Sequence, residues 1–544
     1  MKNCQLIIAL VFTVQLAQSQ NNYISSVTTP DTTLAIITDT NDVSVKIANT
    51  ISAEDLKAHL SVIASDAYEG RETGTPGNEK AANYIADYFK SIGLPAIGPE
   101  NTYFQKVSFN RTGWKTNTME VNGKKYKHLW DYMTFATVND HMPNFSTDEV
   151  MFLGYGIDDP LYSDYKGNDV EGKVIMINKG EPLNQDSISY LTGEKKPSEW
   201  TENIWKKLAV AQSKGVKMVL IIENELKTFL DQNRRFLVSP SLELGDGTIE
   251  EKTIANNAYI SPGIAENIIG KKAKKIIRWR KVNRKKGKAR DIKLKPNLAF
   301  NMDKNIELIQ GENVMGFVEG TDLKDEIVVV SAHYDHLGKR GPDVFNGADD
   351  NGSGTSTVLE MASAFKMAKD QGYGPRRSVL FLLVTGEEKG LLGSEYYSEN
   401  PIFPLEKTVC NVNVDMVGRT DEKYEGNPKY IYVIGSDRLS TDLHKINESM
   451  NQKYSQITLD YTYNDENDPN RYYFRSDHYN FAKKGIPAIF FFSGVHKDYH
   501  RPSDTVEKIQ FNKMENVGKH IFHTVWDLSN RDDRIRVDGK VEQP

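Results

Sequence analysis

Four mainly apolar runs constrain the fold of this chain more than any other feature. They occupy residues 327–332, 378–385, 409–414 and 486–492, and β-branched or aromatic side chains are frequent in them. Runs of this length are typical of strands that are buried on both faces, as in a parallel sheet. A helical pattern at 353–369 separates the first two runs. Alternating strands and helices predict an α/β fold with a mainly parallel central sheet flanked by helices.

Side chains that bind metals follow these predicted strands. His333 comes directly after the first run, Glu387 and Glu388 follow the second, Asp415 follows the third, and His500 lies shortly after the fourth. A glycine-rich segment with the sequence GADDNGSG, at 347–354, adds Asp349 and Asp350 just before the predicted helix. Ligand sites in open α/β sheets lie beyond the carboxyl ends of the strands, so we expect these side chains to share one site.

The residue types in this set suit zinc. Zinc binds histidine nitrogen and carboxylate oxygen, and a catalytic zinc keeps one position for water. Two metals roughly 3.5–4 Å apart require a bridging carboxylate, and Asp350 suits that role because its glycine-rich turn allows unusual backbone conformations. Spacing alone leaves open whether Asp349 or Asp350 forms the bridge.

The remaining side chains can be assigned as ligands of two metals and as a general base. His333 and Asp415 can complete one metal site, and Glu388 and His500 the other. Glu387 then remains without a metal, and an unliganded carboxylate beside a metal-activated water is a natural general base. Asp335, two residues after His333, is expected to hold the second nitrogen of the His333 ring, as metal-bound histidines usually require.

Each motif alone has a simpler explanation. A lone histidine is more often a hydrogen-bonded core residue, a Glu-Glu pair is common on surfaces, and the DDNG run predicts an ordinary turn. Asp415 could be a helix cap, and the residues around His500 could form a plain loop. The combination favours a metal site because all five motifs fall where a shared site needs them.

These motifs resemble those of the zinc aminopeptidases of peptidase family M28. The matching segments are AHYDHLG at 332–338, GADDNGSG at 347–354, EEKGLLGS at 387–394 and DYHRPSDT at 498–505, with EGRETGTPG at 69–77 near the N-terminus. The resemblance covers roughly residues 50–130 and 300–530. It implies a phosphorylase/hydrolase-like α/β fold of the zinc exopeptidase type.

The resemblance also implies roles for individual residues. Asp350, which precedes Asn-Gly-Ser-Gly, bridges two zinc ions in this interpretation, with Glu387 as the base and Tyr499 as a candidate stabiliser of the oxyanion. The implied ligands are His333 and Asp415 for one zinc, and Glu388 and His500 for the other. The nearby histidines at 336, 478 and 496 are not needed as ligands, and the RSDH segment at 475–478 is expected to line the substrate pocket.

The region between the two matching parts has a pattern of its own. A strand at 173–178, a helix at 203–214 and a strand at 217–222 form a unit without a candidate catalytic cluster. We interpret residues 131–295 as an inserted domain that resembles a protease-associated (PA) domain, and residues 51–130 and 296–535 as the catalytic domain. A dense run of Lys and Arg at 271–290 is interpreted as the solvated face of a helix and its trailing loop.

The N-terminus predicts secretion. Residues 1–19 have a positive start at Lys2, a short apolar core at 6–14 and small residues for cleavage after Ser19, as in a signal peptide. Residues 20–50 are polar and predict a loose lead-in. No later segment is expected to span a membrane, so a secreted or periplasmic protein is predicted.

Cys410 is then the only cysteine of the mature chain, and its side chain is expected to be a small, buried core residue.

Several functions remain open at this point. The leading prediction is a secreted two-zinc aminopeptidase acting on peptides. A carboxypeptidase of the same family is the first alternative, because Arg471, Arg475 and Arg501 lie near the motifs. A non-catalytic binding protein and a one-zinc glutaminyl cyclase-like relative are the others. The net charge of −6 gives no indication of a nucleic-acid partner, and the oligomeric state is not predicted.

Overall fold

The computed structural model describes residues 26–30, 34–238, 240–248, 253–287 and 292–542. The strands in these ranges are β1 (Val27–Thr28), β2 (Phe104–Val121), β3 (Lys124–Tyr126), β4 (Tyr132–Met133), β5 (Met142–Thr147), β6 (Val150–Phe152), β7 (Val174–Asn178), β8 (Met218–Ile222), β9 (Ser241–Leu244), β10 (Asn257–Ile260), β11 (Ile292–Leu294), β12 (Leu298–Val318), β13 (Leu323–His333), β14 (Gly338–Arg340), β15 (Asp343–Phe345), β16 (Arg377–Val384), β17 (Thr408–Val414), β18 (Tyr430–Ile434), β19 (Thr458–Asp460) and β20 (Ala488–Phe492). The α-helices are α1 (Val43–Ala48), α2 (Ala53–Ile63), α3 (Pro76–Ser91), α4 (Glu199–Glu202), α5 (Ile204–Ser213), α6 (Leu226–Val238), α7 (Pro262–Ile269), α8 (Ala273–Lys286), α9 (Gly354–Asp370), α10 (Leu392–Glu399), α11 (Thr441–Met450), α12 (His478–Ala482) and α13 (Phe511–Asn530).

The four predicted apolar runs form the centre of the larger sheet. They become β13, β16, β17 and β20, and the sheet order around them is β18-β20-β17-β13-β16-β12. β13 pairs in parallel with both β16 and β17, and β17 pairs in parallel with β20. Every residue of β16, β17 and β20 is buried. The predicted α/β class with a parallel core is confirmed.

Helices cover both faces of this sheet. Val328 and Val330 of β13 face the core shared with α2, α3, α9 and α13. Val329, between them, faces the opposite core with Tyr397 of α10 and Phe481 of α12. The alternation follows from the two-residue period of a strand. Both faces of the strand pack against other elements, which explains why the run is apolar except at Ser331, whose hydroxyl donates a hydrogen bond to the Asn413 side chain.

A long antiparallel ribbon lies beside the parallel core. β2 and β12 pair from Phe104 opposite Val314 to Val121 opposite Leu298. The ribbon leads to a smaller sheet of order β11-β6-β7-β8-β10-β4, whose strands lie between residues 132 and 294. Met119 of β2 and Phe300 of β12 pack in the core of that smaller sheet. The sequence pattern did not predict this ribbon, because its side chains are of mixed polarity.

The predicted lead-in at 20–50 contains ordered structure. β1 pairs with β19, and α1 begins after Asp42, whose carboxylate accepts a hydrogen bond from the Ser44 amide at 2.8 Å. Ile47 of α1 is fully buried. The expectation of a loose segment was therefore wrong for α1, where an N-cap and a few apolar side chains suffice to dock a short helix.

Two further sequence predictions concern membranes and cysteine. The predicted signal peptide lies outside the described residues. In the part of the chain that the structure describes, no helix is long and apolar enough to cross a bilayer. Cys410 lies fully buried in β17, and burial raises the pKa of its thiol to about 12. It therefore behaves as a small core residue, as predicted.

Candidate metal centre

The sheet topology brings the predicted ligands to one place. His333 is the last residue of β13, and Asp415 directly follows β17, the parallel neighbour of β13. Glu388 follows β16, the parallel neighbour on the other side. Because the carboxyl ends of adjacent parallel strands meet at one edge, these three side chains lie together. Asp350 approaches the same edge from the turn between β15 and α9.

One group of donor atoms surrounds His333. Its Nε2 lies 3.5 Å from Asp350 Oδ1 and 3.5 Å from Asp415 Oδ1. His333 Nε2 and Asp415 Oδ1 are buried atoms without a hydrogen-bond partner among the described residues. Ligand atoms that lie about 2.0–2.2 Å from a tetrahedral zinc are separated from each other by about 3.3–3.6 Å. The observed separations match that spacing, so the group fits a metal ion.

A second group shares Asp350. His500 Nε2 lies 3.1 Å from Asp350 Oδ2 and 3.3 Å from Glu388 Oε1. His336 Nδ1 also approaches Glu388 Oε1, at 2.8 Å, and lies 3.7 Å from Asp350 Oδ2. A separation of 2.8 Å is a hydrogen-bond length and is too short for two ligands of one zinc. His336 is thus a hydrogen-bond partner of Glu388 here, and its ring nitrogen also forms a group of potential ligand atoms with Asp350 and Glu388, all within 4.8 Å of one another.

The glycine-rich turn fixes which aspartate faces the site. Asp350 points toward both histidine groups, whereas Asp349 points away. Asp349 Oδ2 lies 3.2 Å from His496 Nε2, and its Oδ1 accepts a hydrogen bond from the Gly418 amide at 2.7 Å. The turn begins at Gly347, whose φ of 52° favours glycine.

Buried hydrogen bonds tie this turn to the loop at Asp504 and to the end of β17. The amides of Asp349 and Asp350 donate to Asp504 Oδ2 at 3.0 and 3.2 Å. The Asn351 side chain donates to the Val414 carbonyl at 2.9 Å and accepts from the Met416 amide at 3.1 Å. These bonds hold the two residues on either side of Asp415. The positions of Asp350 and Asp415 are therefore coupled through Asn351.

Asp335 plays a different part from the one expected. The His333 Nδ1 atom is closest to the Asp335 backbone carbonyl, at 3.1 Å, and lies 3.6 Å from the carboxylate. The Asp335 carboxylate instead accepts the amides of Glu387 and Glu388, at 3.1 and 3.4 Å, and the Thr73 hydroxyl at 2.9 Å. The main chain of Asp335 thus orients His333, while its side chain holds the Glu-Glu turn in place.

Two supporting residues were not found in the sequence. Ser476 donates a hydrogen bond to Asp415 Oδ2 at 2.8 Å and accepts one from the Asn413 amide group at 2.8 Å. Arg71 is fully buried and donates to the carbonyls of Tyr334 and Gly347, at 2.7 and 2.9 Å. Both lie in segments that resemble family motifs, RSDH and EGRETGTPG. Their partners are distant in the chain, so spacing alone could not assign them.

The electrostatics of the site favour added positive charge. Burial alone would lower the pKa of His333, but the charges of Glu387 and Asp415 raise it well above its ordinary value. The pKa of His500 rises to about 9, since Asp350 and Glu388 outweigh the effect of burial. Burial raises the pKa of Asp477 to about 7. The carboxylates therefore attract cations, either protons on the histidines or a metal ion.

Glu387 and Glu388 differ in spite of being adjacent. The Glu388 carboxylate would be protonated by burial, but hydrogen bonds from His336 and His500 hold its pKa well below the usual range. The pKa of Glu387 is raised well above the usual range, because burial outweighs the attraction of His333. Glu387 lies 3.9 Å from His333 Nε2 and lines the pocket rather than the second donor group. A carboxyl with a raised pKa suits proton transfer.

A pocket opens next to the donor atoms. Glu387, Asp415, Tyr499 and His500 line its polar side, and Arg475 lies on its wall. Its apolar lining consists of Met416, Tyr472, Phe490, Phe492 and Val495. The Tyr499 ring stacks on the His500 ring with centroids 3.8 Å apart. His478 lies fully buried against Phe490 and does not line the pocket.

Comparisons with known proteins show similarity over part of this chain. Residues 313–525 match the family model described as Peptidase family M28. The chain is 29% identical to aminopeptidase YwaD of Bacillus subtilis over 41% of this chain and 45% of that protein. It is 30% identical to a probable leucine aminopeptidase of Trichophyton verrucosum over 38% of this chain and 55% of that protein. The chain thus spans about half the length of these curated relatives.

A solved structure supports the fold over nearly the whole chain. An aminopeptidase from Aneurinibacillus sp. strain AM-1 superposes with a TM-score of 0.52, at 19% sequence identity. The match covers 92% of this chain and 98% of that chain. It therefore includes both sheets, although at this identity it shows the fold alone.

Proposed function

We propose that this chain, whose residues 313–525 belong to peptidase family M28, is a two-zinc aminopeptidase. The observation that carries the proposal is the pair of donor groups that share Asp350. His333 and Asp415 would complete one zinc site, and Glu388 and His500 the other. The separations of 3.5 Å in the first group, and of 3.3 Å between His500 and Glu388 in the second, are those expected of zinc ligands and support this assignment. When bound, the zinc ions supply Lewis acidity and an activated water.

Glu387 is the general base in this proposal. Its carboxylate lies at the pocket, close to His333 and outside the hydrogen bonds that hold Glu388. It takes a proton from the water that attacks the scissile carbonyl, and it returns that proton to the amine that leaves when the C–N bond breaks. The low-dielectric surroundings that raise its pKa also strengthen its affinity for the proton in transit. Tyr499, which also lines the pocket, donates a hydrogen bond to the oxyanion.

Recognition of the free amine distinguishes an aminopeptidase from its relatives. An ammonium group needs acceptors beside the scissile bond, and the carboxylates of Glu387 and Asp415 are both on the pocket surface. The apolar lining accepts the first side chain. Arg475, also on the pocket wall, favours the carboxypeptidase alternative, because arginine is the usual partner of a substrate carboxylate. We place the amine here because the carboxylates adjoin the donor groups.

The test compares three forms of one peptide. An aminopeptidase cleaves the form with a free N-terminus and the C-terminally amidated form, but not the N-acetylated form. The reverse pattern would identify a carboxypeptidase. Cyclisation of an N-terminal glutamine, with one zinc per chain, would identify a cyclase-like enzyme. Activity that a chelator abolishes and zinc restores is expected in every peptidase outcome, and its absence would contradict the metal assignment.

Two further parts of the proposal concern the rest of the chain. Residues 131–295 form an inserted PA-like domain that shapes substrate access without taking part in the chemistry. The separate core of the smaller sheet supports this, and polar substitutions on its surface are expected to change KM while leaving the zinc content unchanged. Residues 1–19 are a signal peptide that directs secretion. N-terminal sequencing of the exported protein should then begin at Gln20.

A further inference from the structure

The outer face of α8 carries a concentration of positive charge that the proposed function does not use. Residues 271–286 contain ten Lys and Arg residues and no Asp or Glu. The remainder of the chain has a formal charge of −16, since 58 cations face 74 anions there. The positive charge of the molecule is therefore unevenly distributed, and this helix is the densest part of it.

The helix α8 packs firmly against the smaller sheet. Ile276, Trp279 and Asn283 are buried, and the Trp279 ring packs edge-to-face on Phe152 with centroids 5.0 Å apart. α8 ends at Gly287, which adopts the left-handed conformation. Because one face is anchored in the core, the opposite face presents its side chains on a defined surface.

The cations on that surface have no acidic partners within the described residues. No salt bridge involves residues 271–286 there, although other lysines and arginines of the chain form many. Lys272 is the partly buried member, and its ammonium group contacts the Lys293 carbonyl. The exposed members are Lys271, Lys274, Lys275, Arg278, Arg280, Lys281, Arg284, Lys285 and Lys286.

Exposed apolar side chains lie among these cations. Ile277 is 55% exposed and Val282 is 39% exposed, on the same side of the helix as Lys274, Arg278 and Lys281. Nucleic-acid surfaces favour polar donors and stacking aromatic rings, but the one aromatic residue of this helix, Trp279, is buried. A basic helix with outward aliphatic side chains is instead typical of membrane-surface helices.

We propose that the outer face of α8 is a docking surface for a membrane that contains anionic phospholipids. Lys and Arg side chains meet the headgroup phosphates, and Ile277 and Val282 enter the boundary with the acyl chains. Lys281, Arg284 and Lys285 line a surface hollow together with Gln185, which offers a place for one headgroup. Docking there would hold the chain at a membrane surface through the smaller sheet's outer helix.

Vesicle binding by the full chain tests this surface. Vesicles of equal parts phosphatidylglycerol and phosphatidylcholine should bind the protein, and pure phosphatidylcholine vesicles should not. The triple variant Lys274→Gln, Arg278→Gln, Lys281→Gln should lower the partition coefficient by about 100-fold, if each cation contributes about as much as is typical. Glutamine keeps a good helix propensity, so circular dichroism should be unchanged. Binding by the triple variant equal to wild type would overturn the proposal.

Two controls separate lipid docking from general attraction to anions. The matched variant Lys445→Gln, Lys453→Gln, Lys484→Gln removes three exposed lysines from helical and turn segments that flank the larger sheet. It should bind vesicles within about twofold of wild type. Ile277→Ser should weaken vesicle binding by about tenfold, since a largely exposed aliphatic side chain loses its insertion. If Ile277→Ser binds vesicles like wild type, and a short DNA duplex competes as well as the vesicles do, the surface is a general polyanion site and the lipid proposal is wrong.

Discussion

The two sheets of this molecule end their parallel strands in different ways. In the smaller sheet, Lys179 follows β7 and Glu223 follows β8, and they form one ion pair with an N–O distance of 2.6 Å. In the larger sheet, the carboxylates of Asp350, Glu388 and Asp415 meet with too few cations to balance them. Both sheets place charged residues at strand ends. Only the larger one leaves an excess of negative charge, which a protein can neutralise with protons or metal ions.

This difference explains where a site can form. A balanced pair at a strand end satisfies itself and has no need of a ligand. An unbalanced buried cluster is costly unless a cation joins it. In the described residues, groups of three or more metal-binding side chains occur only at Asp350, shared between His333 with Asp415 and His336 with Glu388.

The largest expected effect is on kcat, and it is seen by making the same Glu→Gln substitution at a strand end of each sheet. Glu387→Gln removes the proposed base but none of the proposed ligands, so kcat should fall by at least about 100-fold without loss of bound zinc. Glu223→Gln changes the matching strand end of the smaller sheet and should leave kcat within about twofold of wild type. Steady-state kinetics and metal analysis by atomic emission measure both variants. Loss of metal from Glu387→Gln would contradict the division of roles between Glu387 and Glu388.

The next effect separates the two histidines at the second donor group. His500→Gln removes a proposed ligand, so the zinc content should fall from two toward one per chain. His336→Gln removes only a partner of Glu388, so two zinc ions should remain, with weaker affinity. Metal analysis after dialysis against a weak chelator compares them. The opposite result would show that His336, with its 2.8 Å approach to Glu388, is the ligand.

The sequence predicted the donor set because parallel strands share an edge. His333, Glu388 and Asp415 each follow an apolar run, and a parallel sheet must bring such positions together. The supporting hydrogen bonds could not be predicted in this way. Ser476 reaches Asp415, and Asp504 reaches the Asp350 amide, across long stretches of chain. Such contacts depend on loop conformation and leave no periodic pattern.

The ribbon and the lead-in show a second limit of the sequence. β2 and β12 contain polar side chains along their length, because one side of the ribbon faces solvent for part of its course. An interrupted pattern of this kind does not separate a strand from a loop. α1 is short, so periodicity gave no signal for it. Both elements depend on tertiary pairing more than on local sequence.

A smaller effect is expected from the hydrogen bond that supports Asp415. Ser476→Ala leaves the ligand in place but removes the donor at 2.8 Å. Outer-shell partners typically contribute 10–100-fold to metal affinity, so zinc affinity should fall by about that factor. Competition with a fluorescent chelator measures it. Ser398→Ala, which removes a buried hydroxyl of α10 bonded to the Glu395 carbonyl, is the control and should leave the affinity unchanged.

The smallest effect is expected on stability, at the Lys179–Glu223 ion pair of the smaller sheet. Lys179→Gln breaks the ion pair with Glu223, but the Lys179 side chain is 46% exposed. Such a pair contributes about 1 kcal/mol or less to the free energy of unfolding. Urea denaturation should show a loss of that size, with zinc content and kcat unchanged. A loss of zinc from this variant would contradict the claim that only the strand ends of the larger sheet bind metal.

The most direct test of the account is the position of bound zinc in a crystal. Anomalous scattering measured above and below the zinc edge should give two peaks on either side of Asp350, about 3.5–4 Å apart. One should lie between His333 and Asp415, and the other between Glu388 and His500. No peak is expected beside Lys179 and Glu223. A single peak, or none within reach of Asp350, would contradict the claim that the unbalanced strand ends of the larger sheet form a two-metal site.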